Sequence, residues 1–171
     1  MDSYLQKLQD AIASASGGVS AEELKRHPEG KWSTAEVLEH LYLTYTGTIK
    51  GCECCLREGR SLARTPTLRD RIRATVVTRF GFMPGGRKAP ERSMPRGMAP
   101  QEVVNAIGTA LLAMDEAITR CEARFGKRTK LMDHPILGPL TTWQWRKFHW
   151  VHGRHHVKQI RRLRGKTSDH Q

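Results

Sequence analysis

The chain has 171 residues, 38% hydrophobic and 27% charged, long enough to bury a core and too apolar for general disorder. Its 29 Lys and Arg against 17 Asp and Glu leave a formal net charge of +12, compatible with nucleic acid, an anionic surface or acidic small molecules as partners. No run approaches the roughly 18 apolar residues of a membrane span, and MDSYLQKLQDAIASAS lacks the basic start and apolar core of a secretory signal.

Tyr4, Leu5, Leu8 and Ile12 fall at helical spacing, and Gly17-Gly18 ends that first helix. STAE at 33–36 is a capping box, Ser33 with Glu36, and the helix it opens carries Leu38, Leu41, Tyr45, Ile49, Cys52 and Leu56 on one face. The segment 60–100 is rich in Gly, Pro and Arg; within it 67–80 fits a short helix and 80–100 a loop. A connection of that length is uncommon unless it does something, such as walling a site. A third long helix spans about Gln101 to Phe125, carried by Val104, Ile107, Leu111, Met114 and Ile118. A fourth opens at TTWQ, with Thr141 and Gln144 as its cap, and runs to about Arg164. With no credible β-hairpin pair, the pattern predicts an all-α fold: one domain over 1–171, a four-helix bundle with one long crossover between the second and third long helices.

Four of the eight histidines crowd into FHWVHGRHHVKQI, residues 148–160. With His152 as the zero of a helical wheel, Trp145 falls at about 20°, Gln159 at about −20° and His156 at about 40°, while His149 and His155 flank at about 60° on either side. The charged residues, Arg146 among them, lie about 80° or more away. The histidines therefore belong to the buried stripe, where an unpartnered imidazole costs about 1–3 kcal/mol. His152 and His156 have the i, i+4 spacing that lets two side chains share one metal ion. A third ligand has to come from another helix. His40 is the natural candidate, beside Thr44, Gly47 and Gly51, which leave room for a cavity; His27 and His134, next to prolines in loops, are weaker ones. Periodicity alone does not decide among them, nor against core histidines satisfied by ordinary hydrogen bonds.

KWSTAEVLEHLYLT at 31–44, followed by HPILGPLTTWQWRKFHWVHGRHHVKQI at 134–160, resembles the DinB-like superfamily of metal-binding helical bundles. The shared features are Trp32-Ser33 before a helix whose EHL bears a histidine, and a late H-x-x-x-H closing in HHxxQI. The resemblance implies His40, His152 and His156 as metal ligands. His149, His155, His134 and Gln159 would be supporting or pocket residues, His134 through the His-Pro…Gly loop that leads into the last helix. It also implies a divalent metal, zinc or nickel, and for some members a thiol S-transferase activity with a low-molecular-weight thiol.

Three neutral nitrogens leave the charge of such an ion uncompensated and a coordination position open, the pattern of catalytic sites. An ion held that way acidifies a coordinated water or thiol and so supplies a nucleophile at neutral pH. The arginines and lysines of 57–96 (Arg57, Arg60, Arg64, Arg69, Arg71, Arg73, Arg79, Arg87, Lys88, Arg92 and Arg96) would meet the carboxylates of an anionic ligand. Of the cysteines in CECC, Cys52 belongs to the core, while Cys54 and Cys55 near the helix end could be exposed; no disulfide framework is indicated, so a reducing cytoplasm is expected. Trp150 lies on the charged side of the last helix, under the long connection or in a homodimer interface. The leading expectation is a cytoplasmic, metal-dependent transferase joining a small thiol to an anionic small-molecule electrophile. A metal-dependent hydrolase is the variant, and a basic binding module with a structural metal, on nucleic acid for instance, is the alternative.

Overall fold

The computed structural model describes residues 1–27, 30–83 and 88–165. Its secondary structure starts where side chains can replace missing backbone partners. The Asp2 carboxylate accepts from the amide of Tyr4 and opens α1, Ser3–Ser16, which buries Leu5, Leu8 and Ile12. Ser20 and Glu23 form a capping box for the short α2, Ala21–Lys25. Ser33 and Glu36 form the expected box for α3, Thr34–Glu58, which stops at Gly59 in the left-handed conformation. Thr67 and Asp70 cap α4, Leu68–Thr78, and a 3-10 turn follows at Glu91–Ser93. α5, Pro100–Phe125, begins with a proline in its first turn, where the missing N–H costs nothing.

Two strands then intervene. β1, Lys130–His134, pairs antiparallel with β2, Gly138–Thr141, and β2 runs directly into α6, Thr142–Gly165. This hairpin corrects the all-α expectation. Its sequence hides it: Pro139 sits in the second strand, opposite Asp133, which only a two-stranded ribbon with free edges accepts readily. The expected cap of α6 does form, Thr141 Oγ accepting from the Gln144 amide and Gln144 Oε1 from that of Thr141.

The fold is therefore predominantly helical, with four long helices among the six described. α3 packs chiefly on α5, and α1 on α6. Leu5, Leu8, Leu38, Leu41, Tyr45, Leu111, Met114, Ile118, Leu140 and Ile160 are sealed in the core. Gly153 makes the α1–α6 approach possible, since a Cβ there would run into Leu8. No described helix is long and apolar enough to cross a membrane.

Arg146 overturns its place on the charged side of the wheel. It is buried, its Nε donating to Asp115 at 2.7 Å, and its two terminal nitrogens to Glu122 and Thr119, each at 2.8 Å. Asp115 also accepts the Asp2 amide, so one carboxylate ties α5 to α6 and to the start of α1. Trp150 is half-buried against the core, with the Arg154 guanidinium over its ring.

The connection after α4 is fixed to α3 by a buried carboxylate. Glu39 accepts the amides of Arg96, Gly97 and Met98, at 2.8, 3.1 and 3.0 Å. That pins the stretch around the 3-10 turn over the N-terminal part of α3, beside His40.

Candidate metal centre and its cleft

α3 and α6 bring three imidazoles to one point. His40 Nε2 lies 3.2 Å from His152 Nε2, and His156 Nε2 lies 3.1 Å from the same atom. The three rings are close enough together to hold a metal ion. Two nitrogens each bound at about 2.0–2.1 Å to one ion stand about 2.8–3.4 Å apart, for angles between a right angle and the tetrahedral one. The two spacings to His152 fit that range, and the ligand atoms of all three lie within 4.8 Å of one another.

The far side of each ring shows how the nitrogens are aimed. His40 Nδ1 is 2.7 Å from the Ser93 carbonyl, which can only accept, so Nδ1 carries the proton and Nε2 keeps its lone pair. His156 Nδ1 likewise donates to Gln159 Oε1 at 3.0 Å. Two lone pairs thus converge on His152. With its own Nε2 unprotonated three lone pairs face one another, an arrangement a cation relieves. His152 Nδ1 is sealed and without a partner in either case, and Phe148 stacks flat on its ring.

Charge on these rings is disfavoured throughout. Burial lowers the pKa of His40, against the raising effect of the Ser93 bond. Burial and then the neighbouring His40 hold His156 down to about 3. For His152 burial comes first and the other histidines second, and its pKa lies well below the ordinary range. Neutral imidazole is the form that binds metal.

The four supporting residues fare differently. His149 is fully buried, its Nε2 3.0 Å from Thr48 Oγ. Because that hydroxyl donates to the Thr44 carbonyl, His149 Nε2 is the donor and Nδ1 is left with no partner. Gln159 orients His156. His155 is exposed at the mouth of the cleft, edge-on to His156. His134 sits in the hairpin, facing the same cleft, and His27 is exposed and apart from the three. Ser93 and Glu39 had not been anticipated. A backbone carbonyl leaves no trace in a sequence, and Glu39 reads as one more polar residue of a helix.

All three converging rings line a cleft of about 1360 Å³ between α3, α4, α6, the hairpin and the long connection. The connection does form one wall, with Ser93 and Met94, and α4 contributes Ile72 and Val76. Gly47 and Gly51 lie along the α3 side, and Trp32, Trp145 and Phe148 complete the lining. Of the basic residues expected near a ligand, Arg73, Lys88 and Arg92 reach the cleft, joined by Lys31. Arg64 is occupied by Asp70 and Asp133, Arg57 lies beside Glu58, and Arg87 lies outside the described residues.

Cys55 corrects another expectation: it is buried, its thiol donating to the Leu131 carbonyl, and burial pushes its pKa up. Cys52 and Cys121 are buried too, and burial raises both. All four cysteines are free thiols and none lines the cleft.

A family model described as "Protein of unknown function (DUF1569)" matches residues 4–163, nearly the whole chain. The chain belongs to this family. The matched span contains the whole of α3 and α6 as far as Leu163, and with them His40, His152 and His156. No curated protein and no solved structure matches the chain.

Proposed function

We propose that this DUF1569 chain is a DinB-like four-helix-bundle enzyme that holds one divalent ion on His40, His152 and His156 and couples a low-molecular-weight thiol to an electrophilic small molecule. The observation that carries the reading is the aim of the nitrogens. Two of the three rings are turned by Ser93 and Gln159 so that their lone pairs meet at the third, and that meeting point opens onto a large cleft. A structural site is closed by a fourth protein ligand; among the described residues no fourth His, Cys, Asp or Glu joins these three. Zinc and nickel both suit an all-imidazole donor set. When bound, such an ion supplies the Lewis acidity that turns a thiol into a thiolate.

The rest of the work falls to the chain. Trp32, Trp145 and Phe148 exclude water around the rings, which strengthens every polar interaction there. Lys31, Lys88 and Arg92 draw an anionic reactant towards the mouth. His40 and His156 hold their protons on the outer nitrogens and take no part in proton transfer.

The test is turnover. Metal-loaded protein, given a panel of small thiols with chlorodinitrobenzene, is expected to consume thiol and electrophile together, and His156→Ala is expected to abolish this. Hydrolysis of nitrophenyl esters without thiol dependence would select the hydrolase variant instead. Neither activity would leave a binding protein with a structural ion.

A further inference from the structure

His134 stands in the cleft as a single tautomer. Its Nδ1 accepts from the amides of Ile136 and Leu137, both at 3.1 Å. Nδ1 therefore keeps its lone pair, and the proton of the neutral ring sits on Nε2. The two bonds come from the turn between β1 and β2, and the ring is wedged against Phe148 and Trp145, with centroids 4.3 and 5.6 Å away. Nε2 has no hydrogen-bond partner among the described residues, yet it is not among the sealed polar atoms, and His134 lines the cleft. The free N–H thus faces the cavity. Burial and then the positive charge of Arg92 hold the pKa down to about 4, so the ring stays neutral at physiological pH.

A neutral imidazole pinned at one nitrogen is a fixed hydrogen-bond donor at the other. Its surroundings select what it meets. Arg73 Nη1 rests on the Ile136 carbonyl of the same turn at 3.4 Å, and Arg92 lies near enough for its charge to bear on the ring. Asp133, the acid in the same hairpin, is held by Arg64. Ile72 and Met83 continue the cleft with apolar surface.

We propose that His134 is a substrate-binding residue: its Nε2–H, with Arg73 and Arg92 beside it, receives a carboxylate carried by a largely apolar small molecule. This rests on the cleft being the substrate site. It does not need the ion.

The competing role, that His134 only holds the turn, is separable by substitution. In His134→Asn the side-chain carbonyl can still accept from the amides two and three residues on, as in an Asx turn, while the Nε2–H is gone. The probes are octanoate and octanol, followed on protein nitrogen-15-labelled at histidine, with and without a chelator. Expected are an Nε2–H tautomer for His134, its Nε2 resonance moving saturably with octanoate, and weaker binding of octanol. His134→Asn should keep its melting temperature and lose octanoate affinity about tenfold or more, as does removal of a hydrogen bond to a charged group; Arg92→Gln should weaken it too. Wild-type affinity in His134→Asn, equal affinity for octanol, no saturable shift, or an Nδ1–H tautomer would each overturn the proposal. A carboxylate landing on a metal ion instead would disappear with the chelator and be indifferent to His134. If the metal reading fails and this one holds, octanoate binding survives chelation unchanged.

Discussion

His149 shows most plainly what burial does to a single side chain. It is sealed, it donates to Thr48, and burial holds its pKa down to about 3; His134, half-buried at the cleft, is held to about 4. An unfolded histidine binds its proton near pH 6.5, so below that pH the unfolded chain takes up protons that the folded chain refuses. Stability is complete above about pH 6.5 and is lost as the pH falls towards the folded values. At pH 5 each of these two histidines should account for about 2 kcal/mol of lost stability. Urea unfolding at pH 7 and pH 5 checks this, and His149→Gln should show the smaller drop. Midpoints that do not move between the two pH values would mean the rings are hydrated. At this scale the pair His152 and His156 was legible, because spacing along one helix fixes which side chains share a face. His40 is the natural third candidate and the one the family resemblance implies, but periodicity alone does not decide it, since its depth depends on how α3 meets α6. The protonation states were not legible, because they rest on the Ser93 carbonyl and on two amides of a turn.

Between elements, buried charge does much of the aligning. Arg146 joins α6 to Asp115 and Glu122 of α5, and removing the guanidinium strands Asp115 in the interior. Arg146→Ala should cost about 3–5 kcal/mol, whereas Arg146→Met paired with Asp115→Leu should recover most of it. Equal loss in both variants, read by denaturant midpoints, would assign the effect to packing instead. Glu39 does the corresponding work for the long connection. Glu39→Ala frees three amides, and with them the Ser93 carbonyl that orients His40. Metal affinity in a competition titration should fall about 10- to 100-fold, the usual effect of losing such outer support. Unchanged affinity would show that Ser93 stays in place unaided. Helix starts were readable because capping boxes are local: Ser33 with Glu36 and Thr141 with Gln144 both form. The box of Ser20 with Glu23 has the same signature but opens only a five-residue helix. The hairpin went unread because its strands are short and packed in part against α3 and α4, so part of what stabilises them is distant in sequence.

For the whole molecule, the long basic connection is the feature that composition signalled without explaining. Folded, its described part leaves Arg60, Arg69, Arg71 and Arg79 exposed outside the cleft. It closes one side of the cleft, lends a carbonyl to His40, and leaves Lys88 and Arg92 at the mouth. The net charge of +12 named a class of partner, but only the path of the chain brings a few of those cations near the histidines. The central claim is that these histidines hold an ion. The measurement that tests it most directly is elemental analysis of tag-free protein, wild type beside His40→Ala and His156→Ala, after incubation with zinc or nickel and removal of the excess. The account predicts about one divalent ion per wild-type chain, the ratio a single three-histidine site gives, and its loss in both variants at unchanged helix content. A wild-type chain that emerges without metal, or variants that retain it in full, would contradict the account.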